Sequence, residues 1–325
     1  MNKELVSSLR ELTAASMKDC VSALQEANDD LERAIDIIKT KGQNIVSSRE
    51  GKVAAEGIIF IHGGRTKALV ECNSETDFVA RNSLFLDFAG YVAETILNKL
   101  AREQIFVVSD VEDKRKELVA SMKENVVVRR WFVEQPFDNT CRVFSYTHNN
   151  NKLGVLLTLK APSAEAALHP SFSVLGEELA MQVAAMSPLA ASPDRLSPDV
   201  IERQKAIFEA QVASMNKPQA QKDRIIDGKL QAWFGEVCLI KQKSITSPKT
   251  TIEQLITNEY SHTLGGLPEI VNFVRVAVGE GIEAKKSDDF SLEVQKLSGV
   301  DATPCIVGKG VCLLDHTHKG TGYHQ

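Results

Sequence analysis

No run of eighteen apolar residues occurs in this sequence, and basic residues show no surplus, with 38 Lys and Arg against 43 Asp and Glu. The first absence argues against a membrane-spanning helix, which needs about 20 consecutive apolar residues. The net charge of −5 argues against a nucleic-acid binder, because phosphate backbones attract proteins with a basic surplus or a basic cluster. We therefore expect neither a membrane nor a nucleic acid among the partners.

The sequence also lacks a secretory pattern and paired cysteines. Its first four residues include an acid and do not begin a basic segment followed by an apolar one, so we expect a cytoplasmic protein. The cysteines are widely spaced and form no Cys-x-x-Cys pair, which favours buried free thiols. They are Cys20, Cys72, Cys141, Cys238, Cys305 and Cys312. With 43% apolar and 25% charged residues, the composition is that of a globular protein.

Motifs of covalent catalysis are missing as well. The sequence has no Gly-x-Ser-x-Gly, no Gly-x4-Gly-Lys-Ser/Thr and no His-Glu-x-x-His. Gly279-Glu280-Gly281 lacks the third glycine of a dinucleotide-binding loop, so it predicts a turn after a strand. Possible zinc ligands near the C-terminus follow no spacing of a structural site. They are Cys305, Cys312, His316, His318 and His324. We expect no metal and no cofactor.

Residues 1–50 carry apolar side chains at helical spacing in three successive segments. The apolar positions are Leu5, Leu9 and Leu12; Met17, Cys20, Val21 and Leu24; and Leu31, Ala34, Ile35 and Ile38. This pattern predicts a three-helix bundle, which resembles the ubiquitin-associated fold. Asp29 is the predicted N-cap of the third helix and Gly42 its predicted end. The polar residues 43–51 are predicted to form a linker.

From Gly57 onward the apolar period changes from that of a helix to that of a strand. Residues 58–61 and 67–72 flank a glycine turn, and residues 141–147 and 153–159 flank a polar one, which predicts two hairpins. Further helices are expected near 84–96, 111–124 and 175–186, and a strand at 126–132. Hairpins in place of regular crossovers indicate the α+β class. We expect related subdomains at 51–145 and 146–295 and a C-terminal extension at 296–325.

An antiparallel helical hairpin is predicted within the second subdomain, at residues 197–234. Ser197-Pro198 is typical of a helix start, and Ile201, Phe208 and Met215 recur every seven residues. Asn216-Lys217-Pro218 interrupts the pattern, and a second apolar stripe follows at residues 225–234. The two stripes can pack against each other, which explains most of the apolar surface of the hairpin.

The segment from Glu71 to Asn82 places Phe78 and Val79 among polar residues, between a predicted strand and a predicted helix. An aromatic next to a carboxylate on a rigidly mounted loop can fill a partner's pocket while the charge fixes orientation. The alternative is that Phe78 folds back under the loop as a core anchor. The residues alone leave both interpretations open.

Four blocks of the sequence resemble the bacterial translation elongation factor Ts family. Thr76-Asp77-Phe78-Val79 resembles its Thr-Asp-Phe-Val motif, and residues 9–20 resemble its N-terminal motif. Residues 124–130 resemble its central strand, and residues 273–282 resemble the segment that closes its core. The blocks occur in the order of the family and span residues 1 to about 295.

The resemblance implies a guanine-nucleotide exchange factor that binds elongation factor Tu, a GTPase, and promotes GDP release by displacing Mg²⁺. It assigns the wedge that shifts the metal's ligands to Phe78, in a loop formed with Thr76, Asp77 and Val79. A secondary contact with the GTPase would come from the N-terminal bundle. Its residues would be Arg10, Met17 and Asp19, although the helical spacing of Met17 also fits a core position.

Two departures from the family pattern weaken the expectation for the N-terminal contact. Ala14 stands where the family usually has Gly, and Val21 stands where it usually has Lys. In the family, a hairpin like that at 197–234 can mediate dimer contacts, which implies a possible homodimer. The alternative function is a non-exchanging dimeric adaptor that binds a partner through the ubiquitin-associated-like bundle, and an enzyme is a poorer third.

Overall fold

The computed structural model describes residues 3–13 and 15–282. Ala14 lies outside the described residues, and so do the C-terminal extension and its candidate zinc ligands. Within the described part, mixed helices and two antiparallel sheets give an α+β protein, as expected. None of its helices has both the length and the apolar character that crossing a membrane requires.

Three helices form the N-terminal bundle: α1 (Lys3–Thr13), α2 (Met17–Ala27) and α3 (Leu31–Arg49). Their shared core buries small and medium apolar side chains, which lets short helices pack closely. The fully or almost fully buried members are Leu9, Cys20, Ala23, Leu24, Ala27 and Ala34. The predicted N-cap of α3 was wrong by one residue. Asp30 accepts the N–H of Arg33, whereas Asp29 has a positive φ of 62°.

The predicted end of α3 was also wrong, because the helix continues through Gly42 to Arg49 and includes most of the expected linker. A Cβ built on Gly42 would lie 3.3 Å from Cβ of Ala120, which belongs to the helix Glu112–Met122. Glycine therefore permits close packing of two helices here instead of ending one. The packing offsets the cost of about 1 kcal/mol for glycine inside a helix.

The first sheet contains β1 (Glu56–Gly63), β2 (Lys67–Ser74) and β3 (Val126–Glu134), in that order and antiparallel. Between β2 and β3 the chain forms α4 (Asp77–Ala80), α5 (Ser83–Ala101) and α6 (Glu112–Met122). The apolar face of α5 covers this sheet. It contributes the buried side chains Phe85, Phe88, Val92 and Ile96 to a core shared with Val70 and Cys72.

The second sheet has the same strand order and contains β4 (Cys141–His148), β5 (Leu153–Lys160) and β6 (Glu269–Ala277). Between β5 and β6 lie α7 (Ala164–Leu168), α8 (Pro170–Met186), α9 (Pro198–Ala213), α10 (Gln219–Val237), α11 (Ile252–Leu255) and α12 (Ser261–Leu264). Both predicted β-hairpins are confirmed. Leu175 and Leu179 of α8 pack on Leu157 of this sheet.

The two sheets face each other through an apolar layer. Ile59 and Leu69 from the first sheet meet Val143, Leu156 and Val276 from the second. Since α5 covers the opposite face of the first sheet and α8 that of the second, the sheets form the middle of a layered core. This core supplies the rigid support for the loop between β2 and α5.

The predicted helical hairpin is confirmed as α9 and α10. Val212 and Ile226 are buried between its arms, and Trp233 and Phe234 pack at its base against Leu196 and Cys238. Part of the surface of α9 remains apolar, because Val200 and Ile207 are exposed, and Met215, just after the helix, is exposed as well.

Candidate partner-binding site

The loop between β2 and α5, residues 75–82, forms a tight turn that we call the Phe78 turn. Phe78 is 80% exposed, whereas the next two residues, Val79 and Ala80, are buried in the core under the first sheet. The expectation of an exposed ring agrees with the structure, and the alternative of a core anchor does not. The buried side chain of Val79 attaches the turn to the core. The backbone at Phe78 is therefore held in place although its ring is exposed to solvent.

Thr76 is held by a carboxylate from a distant part of the chain. Glu124 Oε2 accepts the backbone N–H of Thr76 at 2.9 Å, and its Oε1 accepts the Thr76 hydroxyl at 2.6 Å. The hydroxyl of Ser74 donates to the carbonyl of Thr76 at 2.8 Å. All polar groups of Thr76 are therefore engaged immediately before the helical turn that carries Phe78.

Glu75, beside Thr76, ties the turn to two further elements. Its Oε1 accepts the N–H of Asn125 at 2.7 Å, and its Oε2 lies 3.2 Å from Nη1 of Arg49, the last residue of α3. The end of the N-terminal bundle and the start of β3 thus converge on the base of the Phe78 turn.

Asp77 is half-buried and pairs with Arg81 four residues later, at 2.8 Å from Oδ2 to Nη2. An ion pair at this spacing supports the single turn of α4, although exposed pairs contribute only a few tenths of a kcal/mol. Asn82 then caps α5 by accepting the N–H of Leu84, whose side chain is itself exposed. Between residues 75 and 84, the large apolar side chains exposed to solvent are Phe78 and Leu84.

The N-terminal candidates lie on the surface where α1 meets α2. Arg10 is exposed, and Met17 is 59% exposed, so the core position suggested by its spacing is wrong. Leu12, which shares the apolar spacing of Leu9, is also exposed. The bundle therefore presents two uncovered apolar side chains, one near the end of α1 and one at the start of α2.

Asp19 links this surface to α6. The hydroxyl of Ser16, the N-cap of α2, donates to Oδ2 of Asp19 at 2.6 Å, and Nζ of Lys123 lies 3.2 Å from the same oxygen. The pKa of Asp19 is lowered, chiefly by the Ser16 hydrogen bond and further by Lys123. Because Lys123 precedes Glu124, the bundle surface and the Phe78 turn are attached to adjacent residues.

Glu71, at the beginning of the segment, is fully buried on β2. Its carboxylate accepts hydrogen bonds from Arg129 and Arg130 of β3, and from the N–H of Gly279 at 2.8 Å. Burial alone would raise the pKa of Glu71, but the Gly279 N–H and the two guanidinium groups outweigh it and lower the pKa. The carboxylate thus joins the first sheet to the turn after β6.

The same contact explains Gly279-Glu280-Gly281, which forms the predicted turn after a strand. Gly279 has a φ of +73°, and a Cβ on it would lie 2.5 Å from the carbonyl oxygen of Ala55. Glu280 pairs with Arg130 at 3.3 Å. These residues therefore close the core and are not arranged around a phosphate.

Sequence patterns did not reveal the supports of the site. Glu124 and Glu75 act on residues 48 and 50 positions away in the chain, and no local periodicity predicts such pairs. The exposure of Leu12 was missed for a related reason, since it depends on where the third helix packs. Within residues 3–13 and 15–282, no three His, Cys, Asp or Glu side chains are grouped closely enough to hold a metal ion.

The fold and the site define a class of protein: an α+β scaffold that presents a braced, solvent-exposed aromatic ring, suited to contact another protein. The model of the family "Elongation factor TS" matches residues 75–280, which include the Phe78 turn. The matched region begins just after β2. It includes β3 of the first sheet and all three strands of the second sheet.

Curated relatives give the same result over nearly the whole chain. Elongation factor Ts of Caulobacter vibrioides is 38% identical over 314 residues, which cover 91% of this chain and 97% of that protein. Elongation factor Ts of Symbiobacterium thermophilum is 36% identical, with coverages of 91% and 98%. This chain belongs to the elongation factor Ts family. It is accordingly a translation elongation factor with a role in guanine-nucleotide exchange.

Proposed function

We propose that this protein binds elongation factor Tu in its GDP-bound form and accelerates GDP release by displacing the Mg²⁺ ion. The observation that supports this most directly is the 80% exposure of Phe78 on a turn whose neighbours Val79 and Ala80 are buried. An apolar ring of this size is costly to leave in water unless a partner covers it, and aromatic side chains frequently dominate binding energy at interfaces.

The proposed mechanism needs no covalent step. A GTPase holds its nucleotide partly through Mg²⁺, which bridges phosphate oxygens and protein ligands in a tightly defined octahedral geometry. Insertion of the Phe78 ring between elements behind that site shifts those ligands and weakens nucleotide binding. Asp77, paired with Arg81 on the same turn, orients the ring by placing a charge beside it.

Reciprocity makes the process catalytic. If bound exchange factor weakens nucleotide affinity by some factor, bound nucleotide weakens the affinity for the exchange factor by the same factor. Rebinding of GTP or GDP therefore releases the protein for another cycle.

The test is a stopped-flow measurement of fluorescent GDP leaving elongation factor Tu. We expect the parent chain to accelerate release and Phe78→Ala to lose at least tenfold of that acceleration, since a buried aromatic anchor contributes about 2 kcal/mol or more. Phe137→Ala is the matched control. Phe137 is also exposed, at 62%, but it follows β3, whereas Glu124 and the Phe78 turn lie at the beginning of that strand.

Because Phe78 makes little contact with its own chain, the alanine variant should retain the parent's circular dichroism and unfolding midpoint. Parent-like exchange by a folded Phe78→Ala protein would refute the wedge, and equal losses in both variants would show that the effect is not specific to this turn.

We propose a secondary contact with the GTPase through Arg10, Met17 and Asp19 of the N-terminal bundle. The exposure of Met17 and Leu12 supports it, because both apolar side chains are available to a partner. Asp19 is less available, since Ser16 and Lys123 already engage its carboxylate. The separate domains at 1–50, 51–145 and 146–295, the homodimer and the cytoplasmic location remain proposals of the same kind.

The alternative function, a non-exchanging adaptor, is favoured only by that exposed apolar surface of the bundle. An adaptor would bind its partner without changing GDP release and would tolerate Phe78→Ala. The stopped-flow experiment therefore separates the two functions, because only the exchange factor requires the ring.

A further inference from the structure

We propose that Glu124 is a positioning residue for nucleotide exchange, which holds the Phe78 turn in the conformation that the partner binds. This inference rests on the proposed function and assigns to the same site a residue outside the Thr76–Val79 motif. In this proposal Glu124 does not contact the GTPase. It acts through Thr76.

The geometry of the contact is that of a clamp. The two carboxylate oxygens of Glu124 take the two donors of Thr76, its N–H at 2.9 Å and its hydroxyl at 2.6 Å. Hydrogen bonds to an ionised group are roughly twice as strong as those between neutral groups. Thr76 is the N-cap of α4 but makes no side-chain cap bond of its own, because its hydroxyl is already committed to Glu124.

The element that carries Phe78 needs such support. Helix α4 has only four residues, and one helical turn is unstable by itself because nucleation fixes several dihedral angles for few hydrogen bonds. Val79 and Ala80 bury the inner side of the turn, but burial alone leaves its N-terminal end free to move. The Thr76 clamp fixes that end.

Glu124 is itself fixed on both sides. Lys123 before it ends α6 in the left-handed conformation, with its N–H on the carbonyl of Val119 at 2.8 Å. Asn125 after it donates its N–H to Glu75 and its side-chain amide to the carbonyl of Lys52 at 2.8 Å. The backbone that carries the Glu124 carboxylate therefore cannot shift without breaking hydrogen bonds to α6, to Glu75 and to Lys52.

A clamp of this kind predicts a specific kinetic effect. If only a fraction of molecules holds the competent turn, the apparent affinity for the partner falls by that fraction, while the bound complex behaves normally. We expect Glu124→Ala to raise the half-saturating concentration for GDP release at least tenfold, because it removes two hydrogen bonds to a charged group and one such bond is worth about tenfold. The maximal release rate at saturation should stay that of the parent, in contrast to Phe78→Ala, which lowers it.

Three variants make the test specific. Glu117→Ala removes an exposed glutamate from α6 and should leave the half-saturating concentration unchanged. Glu124→Gln retains one acceptor oxygen for Thr76 and should give an intermediate value. Thr76→Val removes the hydroxyl, so its effect should not add to that of Glu124→Ala when the two are combined.

Amide hydrogen exchange of the free protein gives a readout that is independent of the GTPase. Glu124→Ala should accelerate exchange in a peptide spanning residues 75–82 and leave the strands β1 and β2 as protected as in the parent. Unchanged protection of the turn would overturn the inference, and so would faster exchange with an unaltered half-saturating concentration. Either result leaves the proposed function intact if Phe78→Ala remains defective, whereas a parent without exchange activity would refute both.

Discussion

At the residue scale, the carboxylate of Glu71 is the most consequential buried charge. It is fully buried, but its donors Arg129 and Arg130 remain about a quarter exposed, so the cluster is desolvated mainly on the acidic side. Removing one partner of a buried pair costs more than the pair contributes, because the remaining charges lose their counterion.

We expect Glu71→Gln to lower the free energy of unfolding by about 3 kcal/mol at pH 7, since it leaves Arg129 without a counterion and Arg130 with only the exposed Glu280. The folded-state pKa of Glu71 is lowered, so its stabilisation is complete above the unfolded pKa of about 4.3 and is lost as the pH falls through the folded value. The difference between parent and variant should therefore shrink below about pH 4.

Urea denaturation between pH 3 and 7 (~1 unit steps) measures this difference. Glu56→Gln on the neighbouring strand is the control, because Glu56 pairs with Lys152 at a half-exposed position and should contribute less than about 1 kcal/mol. A pH-independent gap between Glu71→Gln and the parent would show that the carboxylate is not the titrating group.

At the scale of the element, α3 shows how a tertiary contact changes the meaning of a glycine. Gly42 follows Lys41 in a position typical of a helix end, and local propensity favours termination there. The helix instead continues and packs against α6 at Ala120, and its last residue, Arg49, reaches Glu75 at the base of the Phe78 turn. The extension thus attaches the bundle to the site.

We expect Gly42→Leu to destabilise the protein by about 1–2 kcal/mol, because overpacking against Ala120 outweighs the gain in helix propensity. Gln43→Leu, at the adjacent exposed position, is the control and should be nearly neutral. Adding Ala120→Gly should restore part of the loss. Thermal unfolding monitored by circular dichroism measures all three, and a stabilised Gly42→Leu would mean that the helices have room to separate.

At the scale of the whole molecule, two sheets of the same strand order form a common apolar layer, and the α9–α10 hairpin extends one of the connections. Packing between the arms buries Val212 and Ile226 but leaves Val200 and Ile207 uncovered on α9. That remainder is the physical basis of the proposed homodimer.

If a second copy covers this stripe, light scattering should give twice the mass of the chain. The double variant Val200→Glu with Ile207→Glu should then give a monomer, because each interface would bury facing carboxylates. Ala220→Glu with Gln221→Glu adds the same number of acids to exposed positions of α10 and should remain dimeric. A monomeric parent at all concentrations would refute the dimer.

The sequence by itself determined the type and approximate position of most elements and singled out the candidate loop. Apolar period distinguished the helical bundle from the two hairpins, and the polar surroundings of Phe78 indicated a loop contact. These features depend on neighbours a few residues apart, so local spacing contains them.

Only the tertiary structure decided which of the candidate residues are exposed to solvent. It exposed Met17 and Leu12, buried Val79 directly beside Phe78, carried α3 through Gly42, and placed Glu124 on Thr76. Each of these outcomes depends on contacts between distant segments. The free energies that these contacts gain from burial and from charge-assisted hydrogen bonds exceed the local conformational preferences, which are about 1 kcal/mol or less per residue.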